Sequence, residues 1–341
     1  MGTRIVWRTD VHMSDTNPLS RTDVWVDTVL DKLKQVGDIA HKHDAAIVLD
    51  GGDFFHVKSP GRNSHDMVRR VAELHKGYPC PTYANVGNHD CVYGDYSYLD
   101  QQPLGVLFSS HVFERCYDEY EVFVSGKQVF PYHHGWMRED PFTLSLPDPI
   151  VRVVGIPYHG TTYDMDRFAR IKKGREDVLV CHAHLLASPS GGSMFESEDI
   201  VRYQDLLQYD PDVFCFGHWH KNQSITVLGG KTIINIGSLT RGSLSQDDLK
   251  RIPSVAMIDC DMLGVHADQI PLQVMPPEKV FDLEARERAI MRSNTIDTFV
   301  DSVKQRILTE AGKDITDIVG SMDVPQRVKE RVLMYLEQVK G

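Results

Sequence analysis

Tyr83-Ala84-Asn85-Val86-Gly87-Asn88-His89-Asp90 is a short apolar run that ends in glycine and then in three side chains able to ligate, donate or take up protons. It reads as a buried strand delivering a polar loop at its C-terminal end, the edge where α/β sheets place their chemistry. Four further clusters also close apolar runs: Asp10-Val11-His12, Gly52-Asp53-Phe54-Phe55-His56, His182-Ala183-His184 and Gly217-His218-Trp219-His220. Chance accounts poorly for five. Between the first of them, Val29, Leu30, Leu33, Val36 and Ala40 recur at helical spacing, as do Met67, Val68, Val71 and Leu74. The order β-α-β-α-β predicts a largely parallel, helix-covered α/β sheet with right-handed crossovers.

After Asp90 the pattern shifts to short β-rich pieces: Tyr120 to Val124, Gln128 to Tyr132, Val151 to Ile156, Val178 to Cys181, Val213 to Phe216, Thr232 to Ile236 and Val255 to Ile258. These predict a second half-sheet packed on the first. Composition breaks near Pro271 to Pro277, so residues 1–272 are expected as one domain and 273–341 as a helical C-terminal module. Its stripes are Ile296, Phe299, Val300, Val303, Ile307 and Leu308, then Val328, Val332, Leu336 and Val339. At 341 residues and 41% hydrophobic the chain can bury a large core. A net charge of -11 excludes a broadly basic surface for autonomous nucleic-acid binding, so a polyanionic substrate must be held by local charge. Six cysteines without a CxxC pair read as reduced, mostly buried thiols. No apolar stretch has signal-peptide or membrane-span length, and Val6 breaks the myristoylation pattern after Gly2. A soluble, cytoplasmic protein is expected.

Strand alternation would turn Asp10 and His12 to one side, and His218-x-His220 repeats the spacing. The Asp53 carboxylate has two oxygens and so can bridge two metals, while Asn88 adds a neutral oxygen. This mixed N/O set suits Mn²⁺, Fe or Zn²⁺ better than Ca²⁺ or Mg²⁺. The bland readings are a turn-forming Asp10, an N-capping Asp53, and histidines that merely sit on the surface or in the core, as is expected of His41, His65, His111 and His133-His134.

The order Asp-x-His, Gly-Asp, Gly-Asn-His-Asp, His, Gly-His-x-His across residues 10 to 220 resembles the calcineurin-like metallophosphoesterase superfamily. The resemblance implies a two-sheet β-sandwich flanked by helices, with two divalent ions at the strand ends. Asp10, His12 and His220 would hold one ion, Asn88, His182 and His218 the other, and Asp53 would bridge them. His182 is preferred because it is the nearer of the two to the Val178-Leu179-Val180 run, with His184 kept as the alternative. His89 would stabilise the transition state or protonate the leaving oxygen, with Asp90 orienting it.

Within the superfamily the chain looks most like the SbcD-type DNA repair nucleases, including phage counterparts. The features are Gly52 to His56 followed by Lys58-Ser59-Pro60, Gly155-Ile156-Pro157-Tyr158, and Ile236-Gly237-Ser238-Leu239. This implies an active-site role for His56 and a Mn-dependent exo- or endonuclease in DNA repair, recombination or replication. The ions would generate a hydroxide that attacks phosphorus. Lys58 and Arg241 are candidate phosphate contacts. Implied partners are a DNA substrate and an SbcC-type ATPase bound through the C-terminal helices, which could instead fold back on their own domain; a homodimer is allowed and no membrane is expected. Competing readings are a phosphoesterase for a small molecule or phosphoprotein, and a non-catalytic metal-bound scaffold.

Overall fold

A computed structural model describes residues 2–92, 95–134, 149–191 and 197–284. The chain divides into two compact units, Met1–Phe281 and Asp282–Gly341. The C-terminal helical stripes lie outside the described residues. Elements of the first half are β1 (Thr3–Arg8), α1 (Trp25–Lys42), β2 (Ile47–Asp50), α2 (His65–Lys76), β3 (Thr82–Ala84), α3 (Pro103–Ser109) and β4 (Phe113–Arg115). There follow β5 (Tyr120–Ser125), β6 (Gln128–His133), β7 (Ile150–Ile156), β8 (Val178–His184), the short β9 (Ala187–Ser188) and β10 (Val201–Arg202), and β11 (Val213–Gly217). The last strands are β12 (Ile225–Leu228), β13 (Lys231–Ile234), β14 (Ser254–Asp261) and β15 (Gly264–Pro271).

One sheet has the order β15-β14-β1-β2-β3-β4 and the other β12-β13-β11-β8-β7-β5-β6. Parallel strands run from β1 to β4 in the first and through β7, β8, β11 and β13 in the second, with antiparallel strands at one margin of the first sheet and both margins of the second. Strand alternation explains why the sheets stack. In β1, Ile5 and Trp7 enter the apolar layer between the sheets, where they meet Val178, Val180, Val213 and Cys215. Val6 turns the other way, into the layer with Val29, Leu33 and Val36 of α1. Leu179, Cys181, Phe214 and Phe216 form a third layer with Phe168 and Tyr203. The expected two-sheet sandwich flanked by helices is the observed fold. Ser64 caps α2 by accepting from the Met67 N–H at 3.1 Å, an arrangement worth about 1 kcal/mol.

The first compact unit runs past Leu272 because Val280 and Phe281 are buried, with the Arg21 guanidinium 4.8 Å from the Phe281 ring centre. All six cysteines are free, and five of them are buried. Among the described residues no helix is long and apolar enough to cross a membrane.

Candidate metal centre

The parallel strands of both sheets deliver their C-terminal ends to one edge. After β1 the chain leaves the strand, and the loops following β1 and β2 run side by side. Asp10 N–H donates to Gly52 O at 3.1 Å, His12 N–H to Asp53 O at 3.0 Å and His56 N–H to Met13 O at 2.9 Å. Asp10, His12, Asp53 and His218 all have positive φ, of 52°, 52°, 53° and 81°. Left-handed backbone costs an L residue roughly 1–2 kcal/mol, and such strain persists where surrounding structure enforces it. Asp10 and His12 therefore converge through left-handed turns, and the strand alternation expected for them ends at Arg8.

The side chains gather into two groups. In the first, His12 Nε2 lies 2.8 Å from His220 Nε2, and Asp10 Oδ1 is 3.8 Å from His220 Nε2 and 4.0 Å from His12 Nε2. In the second, His184 Nε2 lies 3.5 Å from Asp53 Oδ1 and 3.4 Å from Asn88 Oδ1, with His218 beside them. Asp53 joins the two, its Oδ2 standing 3.8 Å from His12 Nε2. Asp10 is held by the Thr9 hydroxyl at 2.8 Å and by the His218 N–H at 3.0 Å. His184 Nδ1 bonds to Gly51 O at 2.8 Å, which leaves Nε2 to face the cluster.

This donor set fits two cations. The Asn88 amide oxygen faces only acceptors. Turned over, the amide would instead donate to Asp53 Oδ2 at 2.9 Å and to His218 Nδ1 at 3.1 Å. Acceptors thus crowd around Asp53, with a proton on His184 the charge that offsets them, and a divalent ion there would replace that proton and satisfy them together. Burial, reinforced by His220, holds the His12 pKa well below the ordinary histidine value, so its ring is neutral. For His184 burial pulls the same way, but Asp53 outweighs it and the pKa rises to about 9. Asp53 is opposed by burial yet driven well below the usual carboxylate range, chiefly by His184.

His182 does not join the cluster and is corrected to His184. It sits one pleat deeper in β8, on the inner face with Val178 and Val180, and packs edge-on against Trp7 at 5.8 Å. Two residues of strand span about 7 Å, which keeps it inside the sandwich. It is fully buried, neither ring nitrogen has a hydrogen-bond partner, and burial pushes its pKa down to about 3.

His89 stands at the edge of the site. Its N–H donates to Asp53 Oδ1 at 2.7 Å, its Nδ1 bonds to His56 O at 2.7 Å, and its ring stacks on His56 at 5.1 Å. His56 is exposed, with Nδ1 3.2 Å from His12 Nδ1. Asp90 does not orient the His89 ring as expected. Its buried carboxylate accepts from the N–H groups of Gly87, Phe54 and Phe55 at 3.0, 3.3 and 3.0 Å and so pins one loop to the other. Burial, with Asp53 next to it, raises its pKa to about 8. Lys58 is exposed and, with Arg62, lines a cleft of about 650 Å³ that also touches His12, His56, His89 and His220. Arg241 is corrected. Its side chain is buried, donates to Met275 O at 2.6 Å and lines a different cavity, because the segment entering Phe281 covers it.

Two further features were not read from the sequence. Arg8 and Asp50 form a buried ion pair at 2.7 Å beneath the loops, extended by His75 and Tyr78. Glu198 lies 3.0 Å from His218 Nε2. No periodic run leads into Glu198, whereas Asp50 ends a legible strand.

No curated protein matches the chain. Among solved structures, it resembles TT1561 of Thermus thermophilus, with 12% identity, TM-score 0.41 and coverage of 79% of this chain and 99% of that one. It also resembles a dimetal phosphatase from Danio rerio, with 11% identity, TM-score 0.48 and coverage of 80% and 99%. The family model for calcineurin-like phosphoesterases matches residues 3–222, which hold every residue of the two groups, and the chain belongs to that family.

Proposed function

We propose that the protein is a metal-dependent phosphodiesterase acting on DNA, a nuclease of the SbcD type that takes Mn²⁺ and works with an SbcC-type ATPase. The observation that carries the reading is the cleft beside His89. At about 650 Å³ it is lined by His12 and His220 of the first group and also by Lys58, Arg62, Asn17, Thr240 and Ser243. A phosphomonoester needs only the metal groups; a polymer needs a path away from them, lined by cations and neutral donors. Two divalent ions held by Asp10, His12 and His220 and by Asn88, His184 and His218, with Asp53 between them, would supply Lewis acidity and hydroxide at neutral pH.

The protein's own groups do the rest. With Nδ1 tied to the His56 carbonyl, the proton that His89 gives to the leaving oxygen has to sit on Nε2. The stacked His56 ring limits the swing of His89. Lys58 and Arg62 meet the backbone next to the scissile phosphate.

The test is hydrolysis of linear duplex and single-stranded DNA with Mn²⁺, beside a generic phosphomonoester, for wild type and His89→Ala. DNA cleavage by wild type is expected, with a loss of about 10²- to 10⁴-fold in the variant and an unchanged metal content. Hydrolysis confined to the monoester would overturn the DNA reading, and unchanged cleavage by His89→Ala would overturn the role of His89.

A further inference from the structure

We propose that Glu198 is a positioning residue for the second metal group. It accepts the Nε2–H of His218 and so fixes the ring tautomer whose bare Nδ1 faces Asp53 and Asn88. The inference rests on the reading of His218 as a metal ligand and goes beyond it to a residue remote in sequence.

The geometry is that of a relay of hydrogen bonds across two strand ends. His218 Nε2 is 3.0 Å from Glu198 Oε1. Tyr163 OH donates to the same oxygen at 2.8 Å and accepts the Leu186 N–H at 2.9 Å. Leu186 follows the end of β8, which carries His184, and His218 follows the end of β11. One carboxylate therefore joins the His218 imidazole, through Tyr163, to the backbone two residues beyond His184.

The loop holding Glu198 is itself anchored. Asp199 N–H donates to Thr161 O at 2.9 Å, the Asp199 carboxylate accepts from the Tyr163 N–H at 2.9 Å, and Val201 N–H donates to Leu186 O at 2.9 Å. The Glu198 side chain is only 11% exposed and that of His218 14%, so water competes weakly for the bond. Tyr158 packs against the His218 ring, 5.3 Å between centres. A histidine that binds metal through one nitrogen needs its other nitrogen to donate to something, and removing that acceptor typically costs 10- to 100-fold in metal affinity.

The test compares Glu198→Ala, Glu198→Gln, Tyr163→Phe and His218→Ala with wild type, using Mn²⁺ binding by calorimetry and ¹⁵N resonances of the histidine rings in metal-free protein. Wild type should bind two ions and show His218 protonated at Nε2 alone. Glu198→Ala should weaken one of the two ions by about 10- to 100-fold, spare the other, and let His218 populate both tautomers. Glu198→Gln, whose amide oxygen still accepts, should hold the tautomer and lose less, which also guards against a variant that fails to fold. Tyr163→Phe should fall between wild type and Glu198→Ala. If His218→Ala leaves both ions bound, the ligand reading fails. If His218→Ala loses an ion while both Glu198 variants match wild type in affinity and tautomer, the role given to Glu198 fails alone.

Discussion

Between His182 and His184 lies a single pleat of β8, and that pleat decides which imidazole meets Asp53. Periodicity shows that the two share a face, but it cannot say where along the face the sheet ends. Asp53 and Gly51 settle that point, and they come from the other sheet. Replacing His184 with Ala should remove one ion, whereas His182→Leu should keep both. The latter change should alter stability by about 1 kcal/mol or less, since an apolar side chain replaces a buried ring without hydrogen bonds. The pH dependence follows from the same residue. In metal-free protein the His184 pKa is raised to about 9, above its unfolded value. Its stabilising pairing with Asp53 is thus complete below the unfolded pKa and is lost as pH rises through the folded one. An incoming ion must displace this proton, so affinity for one ion should climb about tenfold per pH unit up to roughly pH 9 in wild type. Calorimetry across that range checks it; a flat profile would place the competing proton elsewhere.

At the level of loops, glycines determine how closely the strand ends approach. Gly87 opens a turn closed by the Asp90 N–H on its carbonyl at 3.2 Å, and it also allows a close contact. A Cβ there would lie 2.1 Å from Asp53 Oδ1 and 2.3 Å from the Asp53 backbone N. At Gly52 both reasons apply, since φ is 99° and a Cβ would lie 2.7 Å from the Gly87 N. Backbone atoms cannot step aside as a flexible side chain would. Gly87→Ala should therefore displace Asp53 and lower stability by roughly 1–3 kcal/mol or more, with weaker binding of both ions, as read by chemical denaturation and metal titration. Two ions bound with wild-type affinity would show that the loops adjust. The strands and their polar ends were legible because each apolar run has a period and a length. The left-handed turns at Asp10, His12 and Asp53 were not, because aspartate and histidine take a positive φ more often than most residues but still only in a minority of cases. The burial of Arg241 was hidden for a similar reason: its cover is a segment more than thirty residues away in sequence.

For the molecule as a whole, the two-sheet architecture was readable from the order of runs, and the membership of residues 3–222 in the phosphoesterase family agrees with it. The joining of both sheets at one edge is what makes metal binding a stability term. The candidate ligands come from loops after β1, β2, β3 and β11 and from the end of β8, and an ion bound at a thousand times its dissociation constant would add about 4 kcal/mol. Removing the ions with a chelator should lower Tm on the order of 10 °C; scanning calorimetry would show it, and an unchanged Tm would mean that the ions do not tie the sheets together. The left-handed backbone at Asp10, His12, Asp53 and His218 has a further consequence, for descent. A lineage that ceased to need the ions would be free to place glycine at these positions, since glycine takes such angles without strain. Glycine at these positions would then mark an inert descendant, and this chain carries none of those marks.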